Sequence, residues 1–136
     1  MILLDTSGLL AAIDSDQRMH EACADVIAKA RAPLVLSPFV LAELDYLLAT
    51  RVSVDAELAL LDEVARGAYH LATFTAGEVA TARKMVERYA DLEIGLADAS
   101  IVVLAARHRT RDVLTLDKRH FKALRTLDRK PFRVLP

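Results

Sequence analysis

Short, mostly apolar runs recur along this chain, each followed by longer stretches of helical period. Ile2-Leu3-Leu4, Leu34-Val35-Leu36, Tyr69-His70-Leu71, Val113 to Leu116 and Phe132 to Leu135 read as five strands. Strands this short and this apolar, joined through helices, predict an α/β fold: a short central parallel sheet with helices covering both faces. The spacing predicts helices over 7–13, 16–30, 38–50, 54–66, 75–89, 96–109 and 118–124. Met19, Cys23, Val26 and Ile27 share one side of the second. Ser37 followed by Pro38 reads as an N-cap and first helical residue, Thr75 with Glu78 as a capping box, and Gly67 as a helix stop.

At 136 residues the chain fits one domain, expected to run over 1–136, and 54% hydrophobic content is enough to build its core. Cys23 is the only cysteine, which excludes an internal disulfide or a cysteine-based zinc site. The first residues, MILLDTSGLL, carry an acid and no basic leader, and no apolar run approaches the roughly 20 residues a membrane helix needs. The expectation is a soluble, cytoplasmic protein.

Open parallel sheets bind ligands at the carboxyl ends of their strands. Acids occupy those positions. Asp5 ends the first strand, Asp117 follows the fourth, Glu43 lies in the second turn after the second strand, and Asp98 opens the helix over 96–109 among Leu96, Ala97, Ala99 and Ile101. Each alone has a structural use as a cap, turn former or solvated residue. Four such acids gathered at one sheet edge would repel one another, and Mg²⁺ or Mn²⁺ would relieve that repulsion with all-oxygen ligands. Thr6, Ser7 and Thr115 are placed to hold the carboxylates.

These residues carry a resemblance. Asp5-Thr6-Ser7, then Ala42-Glu43, then Leu96-Ala97-Asp98-Ala99-Ser100, then Thr115-Leu116-Asp117-Lys118-Arg119-His120-Phe121 resemble PIN-domain ribonucleases, and among them the VapC toxins of bacterial toxin–antitoxin pairs. The resemblance extends over nearly the whole chain. It implies Asp5, Glu43, Asp98 and Asp117 as metal-binding catalytic acids, with Asp117 the least strict in the family. It implies Mg²⁺- or Mn²⁺-dependent hydrolysis of RNA to 3′-hydroxyl and 5′-phosphate ends, with transfer or ribosomal RNA as substrate. It further implies a VapB-type antitoxin partner and a homodimer. Gly8 is expected to leave room for substrate.

Charge is unevenly spread. Residues 1–106 hold 16 acids and 8 bases, whereas 107–136 hold 10 bases and 3 acids, so the net of −1 conceals a basic end suited to an anionic partner. All ten bases are expected beside the acidic site, with Lys118, Arg119 and His120 the nearest candidates to touch phosphate. The absence of Trp and the few Tyr and Phe favour recognition of RNA shape over base stacking. Three other readings compete. A stand-alone nuclease in RNA processing would use the same acids. An aspartyl-phosphate phosphatase would use Asp5 as nucleophile, but it needs a second Asp where Ser7 stands. A non-catalytic binding module would use the apolar helices over 38–66.

Overall fold

A computed structural model describes residues 1–136. Five parallel strands, β1 (Ile2–Leu4), β2 (Leu34–Leu36), β3 (His70–Leu71), β4 (Asp112–Leu114) and β5 (Arg133–Leu135), form one sheet in the order β3-β2-β1-β4-β5. Seven helices connect them: α1 (Thr6–Ile13), α2 (His20–Lys29), α3 (Pro38–Arg51), α4 (Val54–Ala65), α5 (Ala76–Arg88), α6 (Leu96–His108) and α7 (Lys118–Ala123). The chain steps outward from β1 to β3, then returns through α5 and α6 to the other side of β1. Right-handed crossovers therefore put α1–α4 on one face and α5–α7 on the other.

The central strands are buried because both faces are covered: Leu3, Leu4, Val35, Leu36, Val113 and Leu114 are each at most 1% exposed. Helix α6 is the most deeply packed, with every residue from Ala99 to Ala105 buried. Local chemistry sets the helix ends. Ser37 Oγ accepts the Phe39 N–H, with Pro38 in the first turn, and Thr75 and Glu78 form the full reciprocal capping box. Gly67, at φ 83°, takes the left-handed conformation that releases the chain after α4.

One helix differs from expectation. Residues 16–19 do not join α2, because Asp14 diverts them into turns. Its carboxylate accepts from the Asp16 N–H and from Gln17 Nε2, and its carbonyl accepts from the Gln17 N–H. Met19 consequently precedes the helix and is exposed, while Cys23 alone of the expected set is fully buried. Strand β4 stops at Leu114, two residues early. The Thr115 N–H still reaches the Leu135 carbonyl, after which the chain turns toward α7.

Candidate active site

The strand order reverses between β1 and β4, and both carboxyl ends open there into a cleft of about 410 Å³. Asp5, Glu43, Asp98 and Asp117 all line it, together with Thr6, Ser7, Arg51 and His120. The fold thus brings all four expected acids to one edge. Asp5 follows β1, and its N–H continues the ladder by bonding to the Leu114 carbonyl. Helices α3 and α6 are tied at their starts: Ser37 Oγ and Ser100 Oγ are 2.7 Å apart, and Ser100 Oγ donates to the Ala97 carbonyl. That buried link sets the helices carrying Glu43 and Asp98 against each other.

Asp5 is 5% exposed, and its carboxylate is held chiefly by two hydroxyls. Ser7 Oγ and Thr115 Oγ1 both donate to Oδ2, at 2.7 Å each, and Thr115 Oγ1 also accepts the Asp117 N–H at 2.9 Å. Ser7 Oγ accepts the Leu116 N–H in turn. Burial raises the Asp5 pKa above the usual carboxylate range; the bonds from Thr115, Ser7 and the Thr6 N–H oppose that rise, and the charge of Asp117 adds to it. Asp98 is pushed up to about 6, mainly by burial and then by the charge on Asp5, with His120 countering. Thr6 departs from the other hydroxyls: its Oγ1 is buried beside the acids without any partner.

His120 is turned onto the acids. Its Nδ1 lies 2.8 Å from Asp117 Oδ2 and 3.1 Å from Asp98 Oδ2, so Nδ1 carries the proton, since carboxylates only accept. Asp117 also caps α7, its Oδ1 accepting the His120 N–H. Glu43 is exposed on the α3 wall of the cleft.

No three acids or histidines converge into a ready-made cage for a cation. The donor set nonetheless fits a hard divalent ion. The ligands are all oxygen, two of the carboxyls carry raised pKa values from burial and mutual repulsion, and the Thr6 hydroxyl beside them lacks a partner. Mg²⁺ typically takes one or two carboxylates and fills its remaining positions with water, which suits acids gathered this loosely.

Two expectations fail. Gly8 makes no room for substrate: a Cβ there would stand 2.4 Å from the Leu114 carbonyl oxygen, so the glycine is required by close packing of α1 on β4. The ten bases do not all flank the site. Helix α6 leads away from the cleft, so Arg107, Arg109 and Arg111 lie at the opposite, amino edge of the sheet. Arg107 is bonded to Glu78 and the Thr73 carbonyl, Arg133 to Asp112, and Lys130 to Asp128. Only Lys118 and Arg119 adjoin the acids. Sequence reasoning overlooked Arg51, which lines the cleft from the last turn of α3. Its spacing from Glu43, eight residues along one helix, was the available signal.

The comparisons with known proteins agree with this architecture. A family model described as the PIN domain matches residues 2–127. Ribonuclease VapC26 of Mycobacterium tuberculosis is 52% identical over 135 residues, covering 99% of this chain and all of that protein. Among solved structures, Mycobacterium tuberculosis VapC20, described as a sarcin–ricin loop cleaving toxin, superposes with a TM-score of 0.80 at 20% identity over 86% of this chain and 90% of its own. The VapBC2 pair of Rickettsia felis, solved on a promoter DNA fragment, gives 0.68 at 23% identity over the full length of both chains. The chain belongs to the PIN-domain family, within its VapC group.

Proposed function

We propose that the chain is the toxin of a type II toxin–antitoxin pair, acting as a metal-dependent endoribonuclease at the Asp5–Glu43–Asp98–Asp117 cleft. The carrying observation is a buried, hydroxyl-held Asp5 sharing one cleft with Asp98 and Asp117, without a lysine or arginine bonded to any of the three. The full-length likeness to a protein named a ribonuclease supports the RNA substrate.

Asp5, Asp98 and Asp117, with Glu43 opposite, would hold Mg²⁺ or Mn²⁺. Bound there, the ion supplies Lewis acidity, lowering the pKa of water and offsetting charge on the phosphate. The chain's residues do the rest. Ser7 and Thr115 fix the Asp5 carboxylate, and His120 aligns Asp98 with Asp117. Arg51, Lys118 and Arg119 draw phosphates toward an edge whose own charge would repel them. Water adds to phosphorus and the P–O3′ bond breaks. The 3′ oxygen leaves and gains a proton, giving 3′-hydroxyl and 5′-phosphate ends. Transfer RNA and ribosomal RNA are the candidate substrates, and their location implies action in the cytoplasm; no helix is long and apolar enough to cross a membrane.

A VapB-type antitoxin and a second copy of the chain are the proposed partners, with residues 1–136 acting as one domain. Two apolar surfaces support contacts of this kind. One is a groove of about 740 Å³ whose walls include Ile13, Ile27, Leu34 and Tyr69. The other is a ridge on α3 and α4 exposing Tyr46, Val54 and Leu58.

The test is cleavage of transfer and ribosomal RNA by purified protein, with 5′ ends of the fragments sequenced. Asp5→Asn and Asp98→Asn should each reduce cutting by roughly a thousandfold or more while remaining folded. Full cutting by both variants, or none by the parent with either metal, would refute the proposal.

A further inference from the structure

We infer that the amino edge of the sheet carries a second phosphate-binding surface, which fits a folded RNA rather than a short strand; this rests on the RNA-cleaving function proposed above. At that edge a cleft of about 450 Å³ is lined by Arg109, Arg111 and Lys130 together with Thr110 and Thr126. Arg129 is exposed on the same loop. Lys130 is matched by Asp128, whereas Arg109, Arg111 and Arg129 have no carboxylate partner.

Backbone geometry adds an independent observation. Arg109 and Arg129 stand at φ 52° and 68°, left-handed positions where Gly or Asn is the usual occupant. A chain that keeps arginine at two such positions accepts local strain for the side chain. A cation just past α6 also answers the negative end of that helix. This accounts for Arg109 but not for Arg111 or Arg129, which belong to no helix end.

The two clefts are joined. Helix α7 starts beside Asp117 and presents Lys118, Arg119 and Lys122 to solvent, and the chain then continues to the loop carrying Arg129. The basic track therefore runs along the β5 side of the sheet, from the carboxylates to the far end of α6. Thirteen helical residues separate those ends, roughly 20 Å at 1.5 Å per residue. A short strand seated on the acids does not reach Arg109. A longer flexible strand would have to be ordered along a track that offers no aromatic ring for stacking. A base-paired stem arrives with its phosphates already fixed.

The experiment measures binding in EDTA, which separates it from cleavage. Fluorescence anisotropy follows an RNA hairpin of about 16 base pairs and a single strand of about four nucleotides across a salt series. The variants are Arg109→Asn with Arg111→Gln, and separately Arg129→Asn; asparagine tolerates the left-handed backbone, and melting curves report folding. The double variant should lose about tenfold or more in hairpin affinity, and its salt slope should fall by about 1.8, or 0.9 per lost contact. Arg129→Asn should lower the slope by about 0.9, and the short strand should bind all proteins alike. An unchanged hairpin slope, or equal losses on both RNAs, overturns the inference. So does an unchanged RNA slope accompanied by lost affinity for polyglutamate, which would assign the surface to an acidic protein. Cleavage by the parent in Mg²⁺ reads the proposed function separately, so the two failures remain distinguishable.

Discussion

The acids of the cleft and the acids paired outside it are held in opposite ways. Outside the cleft Glu78 is bonded to Arg107, Asp112 to Arg133 and Asp128 to Lys130. In the cleft Asp5 and Asp98 are more deeply placed than these, yet the partners of Asp5, Asp98 and Asp117 are two hydroxyls, backbone N–H groups and one imidazole. Their pKa values diverge accordingly. Arg107 holds Glu78 below the usual range, and bonds from Thr126 and Lys130 do the same for Asp128, whereas burial lifts Asp5 and Asp98 above it. These three paired acids are neutralised within the chain. The acids of the cleft are oriented without being neutralised, which leaves their charge for something bound from outside.

That contrast can be broken at several points, and the largest expected effect is on Thr115. Thr115→Val removes one of the two hydroxyls on Asp5 and leaves the Asp117 N–H without its acceptor. Cleavage should fall 10- to 100-fold. Because the Thr115 bond lowers the Asp5 pKa, the acid limb of the pH–rate profile should move to higher pH; an unmoved limb would mean that Thr115 only packs. Next comes Gly8→Ala, whose Cβ would collide with the Leu114 carbonyl. Pushing α1 from β4 also separates Ser7 from Thr115, so stability should fall by about 1–3 kcal/mol in denaturant titration, with cleavage falling too. A neutral Gly8→Ala would show that α1 is not seated as tightly as the cleft requires. Smallest is Glu78→Gln, outside the cleft. A half-exposed pair contributes under about 1 kcal/mol, and cleavage should not change. Since the folded Glu78 pKa is lowered, its contribution is present at neutral pH and lost as pH falls through that lowered value.

The sheet and its acids were legible because their signals are local. Three-residue apolar runs and the caps at Ser37 and Thr75 depend on near neighbours, and the topology rule then carried four distant acids to one edge. What sequence reading missed depends on direction rather than on pattern. Charge counted along residues 107–136 could not show that α6 carries Arg107 and Arg109 away from Asp98. Gly8 was read as space for substrate because its contact, Leu114, lies more than a hundred residues away. The sequence places His120 near Asp117 as a candidate for phosphate but does not register that the first turn of α7 brings its ring onto both Asp98 and Asp117. The start of α2 was displaced by the Asp14 side chain, a competition that apolar period does not register.

The central claim is that the cleft carboxylates hold uncompensated charge that a divalent cation relieves. The most direct test is the melting temperature of the parent and of Asp98→Asn at pH 7.5, each with EDTA and with Mg²⁺. The folded pKa of Asp98, at about 6, lies above its value in the unfolded chain. Ionising it therefore costs stability as pH rises through that window, and the cost is full above it. In EDTA the variant should be the more stable by on the order of 2 kcal/mol, or roughly 5 °C, a gap that closes as pH falls toward 4. Mg²⁺ should raise the melting temperature of the parent and leave the variant nearly unmoved. A variant less stable than its parent in EDTA, with Mg²⁺ shifting both equally, would contradict the account.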